Sequence, residues 1–260
     1  MNDSLSFDRA ADIYDRTRDL PEPVATQGIQ ALFEVVGAGS RILDVGTGTG
    51  RISVPLLKRG ADLVGCDLSP RMMAVLRGKF PEARLAQADA SRLPFPADHF
   101  DGLLTCHVMH LVGPWREALR EYRRVLRPGG VYVNARSDGE GESVQERVRD
   151  FWRSRLEAHG FTSRRPGVRD DKDLHAELLS LGAYLERIEA VRFSRSRSVR
   201  GEIDRVASRS DSHTWEIPEE VFARSLQDLR EWAVREYDDL DAPHADTEIF
   251  ILDIARFKKG

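Results

Sequence analysis

The sequence predicts an α/β fold, an open and mostly parallel sheet with helices on both faces, and three observations lead there. Up to about residue 136, short apolar runs alternate with stretches of helical periodicity, and strands separated by helices of that length imply parallel βαβ units. Several runs, among them RILDV, DLVGCD and DGLLTCHV, are nearly continuous in apolar residues, as strands covered on both faces are. The 260 residues, 41% of them hydrophobic, can bury one full core with a decorated edge.

The elements follow in order. Helical periodicity around TQGIQALFEVVG leads into strand RILDV, helix ISVPLLKRG, strand DLVGCD, helix PRMMAVLRGKF, strand ARLAQAD, strand DGLLTCHV, helix PWREALREYRRVL and strand VYVNAR. Ser69 before Pro70 fits an N-cap with proline in the first turn, and Arg127-Pro128-Gly129-Gly130 reads as a helix stop followed by a turn. SDGEGES reads as a loop. The next helix, SVQERVRDFWRSRLEAHG, carries Val144, Val148, Phe151, Trp152 and Leu156 on one face; that stripe either packs on the core or lines a pocket. After the basic loop TSRRPGVRDDKD come a helix at LHAELLSLG, a strand at YLERIEAVRFSRSRS, an amphipathic helix from Pro218 with Val221, Phe222, Leu226, Leu229 and Trp232, and a last strand, TEIFILDIARF.

Composition narrows the function. The net charge of −4 is spread along the chain, so no overall basic field invites nucleic acid. The N-terminus, MNDSLSFDRAADIYDR, has neither the basic nor the apolar region of a secretion signal, and no apolar run approaches the roughly 20 residues that span a bilayer. A cytoplasmic protein is expected. Cys66 and Cys106 lie in apolar runs without ligand spacing, so a disulfide framework or metal site is not expected.

The chemistry begins at ILDVGTGTGR. Asp44 falls at the end of the first strand, and Gly46, Gly48 and Gly50 remove the Cβ atoms that would hold a ligand away from the backbone. The helix start behind them offers amide donors to an anionic or polar group. Asp67, about 20 residues on, ends the second strand, where an acidic side chain can accept from ribose hydroxyls. The spacing is GxGxG, whereas the dinucleotide fingerprint is GxGxxG. Asp89 follows the third strand, where its carboxylate can accept from an adenine amino group while the Ala90 amide meets a ring nitrogen; an Asp at a strand end also serves as a turn former. Phe95 and Phe100 flank the next turn. In order, the three acids describe a nucleoside with a short charged tail.

The ordered set ILDVGTGTGR, VGCDLSPRMM, QADASRLPFPADHFD, HVMHLV and RRVLRPGGVYV resembles the class I S-adenosylmethionine-dependent methyltransferases, in the branch that includes small-molecule and quinone enzymes. The resemblance covers about residues 36 to 136 strongly. It implies a Rossmann-like, doubly wound sheet of seven strands whose last strand is antiparallel. It further implies an N-terminal helical lid over 1–35, a cofactor-binding core over 36–136, a helical substrate cap over 137–183 inserted after the fifth strand, and last strands and helix over 184–260. By the resemblance, Asp44 and the Gly46-Thr47-Gly48 turn hold the methionine tail, Asp67 takes the ribose, Leu68 and Met72 pack on adenine, Asp89 and Ala90 read its edge, and His107 sits near the sulfonium. In the family's strand order Cys66 and Cys106 flank the first strand, so two spacings of roughly 4.8 Å keep them from pairing.

Methyl transfer from a sulfonium is an in-line displacement, so positioning supplies much of the rate and a base is needed only when the acceptor must lose a proton. His107 and His110, three apart at a strand's carboxyl end, are the candidates near the methyl group; His110 reads either as base or as a capped residue. Tyr14 and Arg18, one helical turn apart, lie where related small-molecule enzymes close a helix over the cofactor. Arg18 then meets the methionine carboxylate and Tyr14 lines the methyl site, or both lie on an exposed face. The run RFSRSRSVRGEIDR with Arg205 and Arg209 reads as a solvated edge protected from aggregation. Cys106 is not expected to act as a nucleophile.

The expectation is methyl transfer to an O, N or C atom of a small molecule, with S-adenosylmethionine as methyl donor, S-adenosylhomocysteine as product, no metal, no nucleic acid, and a monomer or homodimer. Rival readings are an RNA methyltransferase, a nicotinamide-dependent oxidoreductase, and a non-catalytic binder of the cofactor.

Overall fold

A computed structural model describes residues 4–18, 20–162 and 166–258. After a 3-10 turn at Asp8–Ala10, α1 (Tyr14–Thr17) is a single helical turn, and a π-helical turn at Val24–Gly28 runs into α2 (Ile29–Val36). Then come β1 (Arg41–Val45), α3 (Ser53–Lys58), β2 (Asp62–Asp67), α4 (Pro70–Lys79), β3 (Arg84–Gln87), β4 (Phe100–Cys106), α5 (Trp115–Val125) and β5 (Leu126–Glu140). The remainder is α6 (Val144–Ala158), α7 (Asp171–Ser180), β6 (Ala183–Arg197), α8 (Val199–Ala207), α9 (Glu219–Glu236) and β7 (His244–Phe257).

The strands form one seven-stranded sheet in the order β3-β2-β1-β4-β5-β7-β6, mostly parallel with an antiparallel end. β1 is an interior strand: Asp44 pairs with Gly65 of β2 and Leu104 of β4, all in parallel. This register brings the carboxyl ends of β1, β2 and β4 side by side, the usual ligand edge of such sheets.

Two stretches differ from their sequence reading. Arg127-Pro128-Gly129-Gly130 does turn, with Gly129 at φ +83°, but the turn is a bulge within β5: Leu126 pairs with Phe100 and Val131 with Gly102. Pairing on both sides keeps the backbone extended around it. The first residues of SDGEGES, taken as loop, continue β5 to Glu140. The basic loop after α6 is described only in part, since residues 163–165 lie outside the described residues.

The chain divides into two compact units, one of residues 1–136, 165–191 and 250–260, the other of 137–164 and 192–249. The 137–183 segment thus contributes α6 to the second unit and α7 to the first. In the first unit Leu43, Leu103, Tyr122, Tyr132, Leu174 and Ala255 belong to one core; the buried Tyr132 hydroxyl lies 2.9 Å from Thr105 Oγ1. Phe95 and Phe100 meet edge to face at 5.1 Å.

In the second unit α6 presents Val148, Trp152 and Leu156 to Phe222, Leu226 and Leu229 of α9. Trp152, 1% exposed, meets Phe222 at 5.4 Å and Phe151 stacks on Trp232 at 4.6 Å, so the apolar stripe of α6 packs. The basic run is largely ion-paired within the chain. Arg197 meets Glu202 at 2.8 Å, Asp246 at 3.5 Å and also Glu248, Arg205 meets Asp211 at 3.1 Å, and Arg209 meets Glu219 at 2.9 Å. Among the described residues no helix is long and apolar enough to cross a membrane, and no group of three or more His, Cys, Asp or Glu could hold a metal.

Candidate functional site

The carboxyl ends of β1, β2 and β4 gather most of the residues singled out in the sequence. Asp44 is buried and accepts a hydrogen bond from Ser53 Oγ, which also contacts the Thr47 hydroxyl. Burial, the largest influence, lifts its carboxyl from 3.8 to about 6 against the two hydroxyl contacts, and the neighbouring Asp67 adds to the rise. Asp67 accepts from the amides of Gly48 and Ser69, both at 2.8 Å; burial raises it too, opposed by those amides. Two desolvated carboxylates therefore sit side by side, bonded to hydroxyls and amides. A cationic ligand group relieves such a pair.

The glycine loop works differently from its sequence reading. The amides of Gly46 and Thr47 donate to the Cys66 carbonyl at 2.8 and 3.0 Å, Gly48 donates to Asp67, and Gly50 donates to the Thr47 carbonyl at 3.0 Å. Those donors serve the loop itself, because the backbone must satisfy its own groups where burial excludes water. A Cβ on Gly50 would lie 2.8 Å from Leu76 and from Val54, so this glycine permits packing. At Gly48 the nearest atom is Met72 Cε at 3.4 Å, an ordinary contact, and φ is +55°. Gly48 is thus required for its positive φ and not for close packing.

Met72 is buried on α4, whereas Leu68 is half-buried with its carbonyl accepting from Gln87 at 3.3 Å. Asp89 Oδ1 accepts from the Ser91 amide at 2.8 Å and the Ser91 hydroxyl at 2.9 Å, the bonds of a turn-forming Asp. Ala90 is half-buried against the first unit's core.

His107 follows β4 in a left-handed conformation, φ +56°, its amide donating to the Ala135 carbonyl at 3.2 Å. Burial, then the positive charge of Arg51, His110, Arg18 and Arg136, pushes its imidazole down to about 3. It is neutral throughout the physiological range and a weak base. His110 lies in the 3-10 turn Met109–Leu111, with its carbonyl accepting from the Gly167 amide at 3.2 Å. Burial pushes the Cys106 thiol up to about 12, so it stays protonated and inert.

Tyr14 opens α1, but the helix ends at Thr17 and Arg18 lies outside it at φ −142°. A shared helix face is therefore not what joins them. They meet by stacking: Tyr14 packs edge to face on Phe7 at 5.8 Å, and the Arg18 guanidinium lies 5.2 Å from the Tyr14 ring and 5.5 Å from Phe7.

Ser53, Thr49, Asp8 and Asp15 also belong to this edge and were missed in the sequence. Thr49 Oγ1 donates to Asp15 at 2.6 Å, and Ser69 Oγ donates to Asp8. No spacing rule could find contacts 34 and 61 residues apart. Only the Ser69 N-cap had a local signal, and its hydroxyl does accept from the Met72 amide at 3.1 Å.

The fold is Rossmann-like, and within it residues 43–134 match the methyltransferase domain family. The S-adenosylmethionine expectation stands with this match. An uncharacterized methyltransferase of Mycobacterium tuberculosis is 37% identical over 127 residues, 49% of this chain and 50% of that protein. A demethylmenaquinone methyltransferase of Beutenbergia cavernae is 37% identical over 136 residues, 50% of this chain and 55% of that protein. The chain thus spans about half the length of the curated relatives it matches. A solved structure of a methyltransferase from Bacillus halodurans shares the fold, with TM-score 0.60 at 15% identity over 88% of this chain and 98% of that one.

Proposed function

We propose that the chain is an S-adenosylmethionine-dependent methyltransferase acting on a small-molecule acceptor. The observation that carries the reading is Asp44, a desolvated carboxylate held by hydroxyls with its proton affinity raised to about 6. An amino-acid ammonium is the counter-charge such a group lacks. Asp67, its two oxygens oriented by backbone amides, is assigned the ribose hydroxyls. Gly48 is assigned to the tail, Thr47 and Gly46 shape the turn, Gly50 lets it pack, and Met72 with Leu68 offers an apolar surface to adenine. Asp89 and the Ala90 amide are assigned to its edge.

When bound, the cofactor supplies a methyl group on a positively charged sulfur, with a neutral thioether as leaving group. What the chain contributes is orientation and exclusion of water. His107, kept neutral by burial and cationic neighbours, provides a polar contact without repelling the sulfonium. His110 and Tyr14 are our candidates for receiving a proton from an acceptor that must lose one, and Arg18, oriented by two rings, for the methionine carboxylate. The likeness to demethylmenaquinone methyltransferases supports the cofactor assignment over the matched half. Acceptor choice is assigned to residues outside the 43–134 match.

The test is a labelled-methyl screen over phenols, quinones, amines and bulk RNA with purified protein. Transfer to a small molecule that His110→Ala slows while leaving cofactor affinity intact supports the reading. Transfer to RNA alone, or cofactor binding with no turnover on any class, overturns it.

A further inference from the structure

The segment that leads into α7 is joined to the loop after β4, main chain to main chain. The Gly167 amide donates to the His110 carbonyl at 3.2 Å and the Val168 amide to the Met109 carbonyl at 3.0 Å. Gly167 is buried, and no side chain fits there: a Cβ would lie 2.7 Å from the His110 carbonyl carbon, 2.9 Å from the Val112 oxygen and closer still to the Met109 oxygen. All three are backbone atoms, which cannot turn aside as a flexible side chain can. Gly167 does not have a left-handed φ, so close approach alone requires glycine here. The other end of the segment is tied to β5. Asp171 pairs at 2.6 Å with Arg136, the residue after Ala135, whose carbonyl accepts from the His107 amide. Leu174 and Leu178 then anchor α7 in the first unit's core.

We propose that Gly167 is a positioning residue for methyl transfer: by letting residues 167–171 lie against the loop after β4, it fixes where His110 stands. This rests on the reading of His110 above as a group that receives the acceptor's proton. The turn that carries His110 spans only Met109–Leu111, and a 3-10 turn that short has few bonds of its own. Leu111 donates to the Val108 carbonyl at 2.8 Å, while the carbonyls of Met109 and His110 take their donors from Val168 and Gly167. Inside the core the Met109 side chain is buried, with the Tyr122 hydroxyl 3.7 Å from its sulfur. The turn is therefore gripped by its main chain and by one side chain, and His110 lies between those grips. A shift of this backbone carries the imidazole with it, and a proton acceptor works only within hydrogen-bond reach of its donor. Gly167 itself is assigned no contact with a reacting atom.

The experiment compares the wild type, Gly167→Ala, His110→Ala and the double variant, using the acceptor that the labelled-methyl screen returns, with circular dichroism to verify folding. Gly167→Ala should lower kcat about 100-fold, the effect of misplacing a reacting group by roughly 1 Å, while acceptor KM and S-adenosylhomocysteine affinity stay within about threefold. In the His110→Ala background the same change should lower kcat by less than about twofold, because the group it positions is gone. A glycine needed only for folding would act equally in both backgrounds. Asp171→Asn releases the far end of the segment at a pair whose acid is 42% exposed; it should lower kcat about threefold, again only when His110 is present, and it carries the test if Gly167→Ala does not fold. The His110 imidazole signals in NMR spectra of the ligand-free protein, assigned by their loss in His110→Ala, should move in Gly167→Ala, a readout that needs no acceptor. An unchanged kcat, an equal loss in both backgrounds, or unmoved imidazole signals overturn the positioning role and leave the cofactor reading in place. A His110→Ala variant as active as the wild type overturns the base and its positioning together, with cofactor binding untouched. A wild type that transfers no methyl group overturns this inference and the proposed function alike.

Discussion

Each unit of this chain buries carboxylates, and they are treated in two ways. In the second, Glu202, Asp246 and Glu248 converge on the Arg197 guanidinium, and all four side chains are about a tenth exposed or less. In the first, Asp253 is likewise paired with Arg136 and Arg187, whereas Asp44 is bonded to a serine hydroxyl and Asp67 to two amides, and both of these carboxyls are pushed upward by burial. The paired acids are closed structural networks. The others retain part of their desolvation cost, which a cationic ligand can offset.

Four substitutions test that contrast. The largest effect is expected from Arg197→Ala, which strands three buried carboxylates: a loss of about 3–5 kcal/mol in unfolding free energy, measured by urea denaturation, with S-adenosylhomocysteine affinity within twofold. A comparable loss of affinity would erase the distinction. Asp67→Ala is expected to weaken the ligand about 100-fold by calorimetry, since it removes a charged acceptor and frees the Gly48 and Ser69 amides it organises.

Asp44 has a pH signature. Because its folded value is raised from 3.8 to about 6, the folded state holds a proton that the unfolded chain has already released. Stability of the ligand-free protein therefore falls as pH rises from about 4 to about 6, and Asp44→Asn should flatten this in thermal melts. Binding of an ammonium-bearing ligand, which needs the ionised carboxylate, should strengthen about tenfold between pH 5 and pH 7 and lose that dependence in Asp44→Asn. The smallest effect is expected from Arg71→Ala. Its pair with Asp12 is exposed at 54% and 74%, so the stability change should stay within about 0.5 kcal/mol.

Much of the first unit was legible because ligand chemistry fixes residue types at fixed spacing. Asp44 and Asp67 fall at the strand ends and Gly48 in the loop after β1, and Ser69 caps α4 as its Ser-Pro pair signalled. What the motif concealed was the division of labour within the loop: packing requires Gly50, and most amides serve neighbouring carbonyls. Those are tertiary facts. The extension of β5 through SDGE was hidden because pairing overrides glycine's weak strand preference. Asp8 and Asp15 were invisible for another reason, since their partners lie 61 and 34 residues away. In the second unit the apolar stripes of α6 and α9 could be read from helical periodicity, but the four-member network on Arg197 could not. A run of arginines on an edge strand looks the same in sequence whether solvent or buried acids receive it.

The central claim is that the β1, β2 and β4 ends hold adenosine with an amino-acid tail. Calorimetric titration of the protein with S-adenosylhomocysteine and, separately, with NADH tests it most directly. One S-adenosylhomocysteine per chain is expected, lost or severely weakened in Asp67→Ala, with no heat from NADH. Binding of NADH in preference, or S-adenosylhomocysteine binding that Asp67→Ala leaves unchanged, would contradict it.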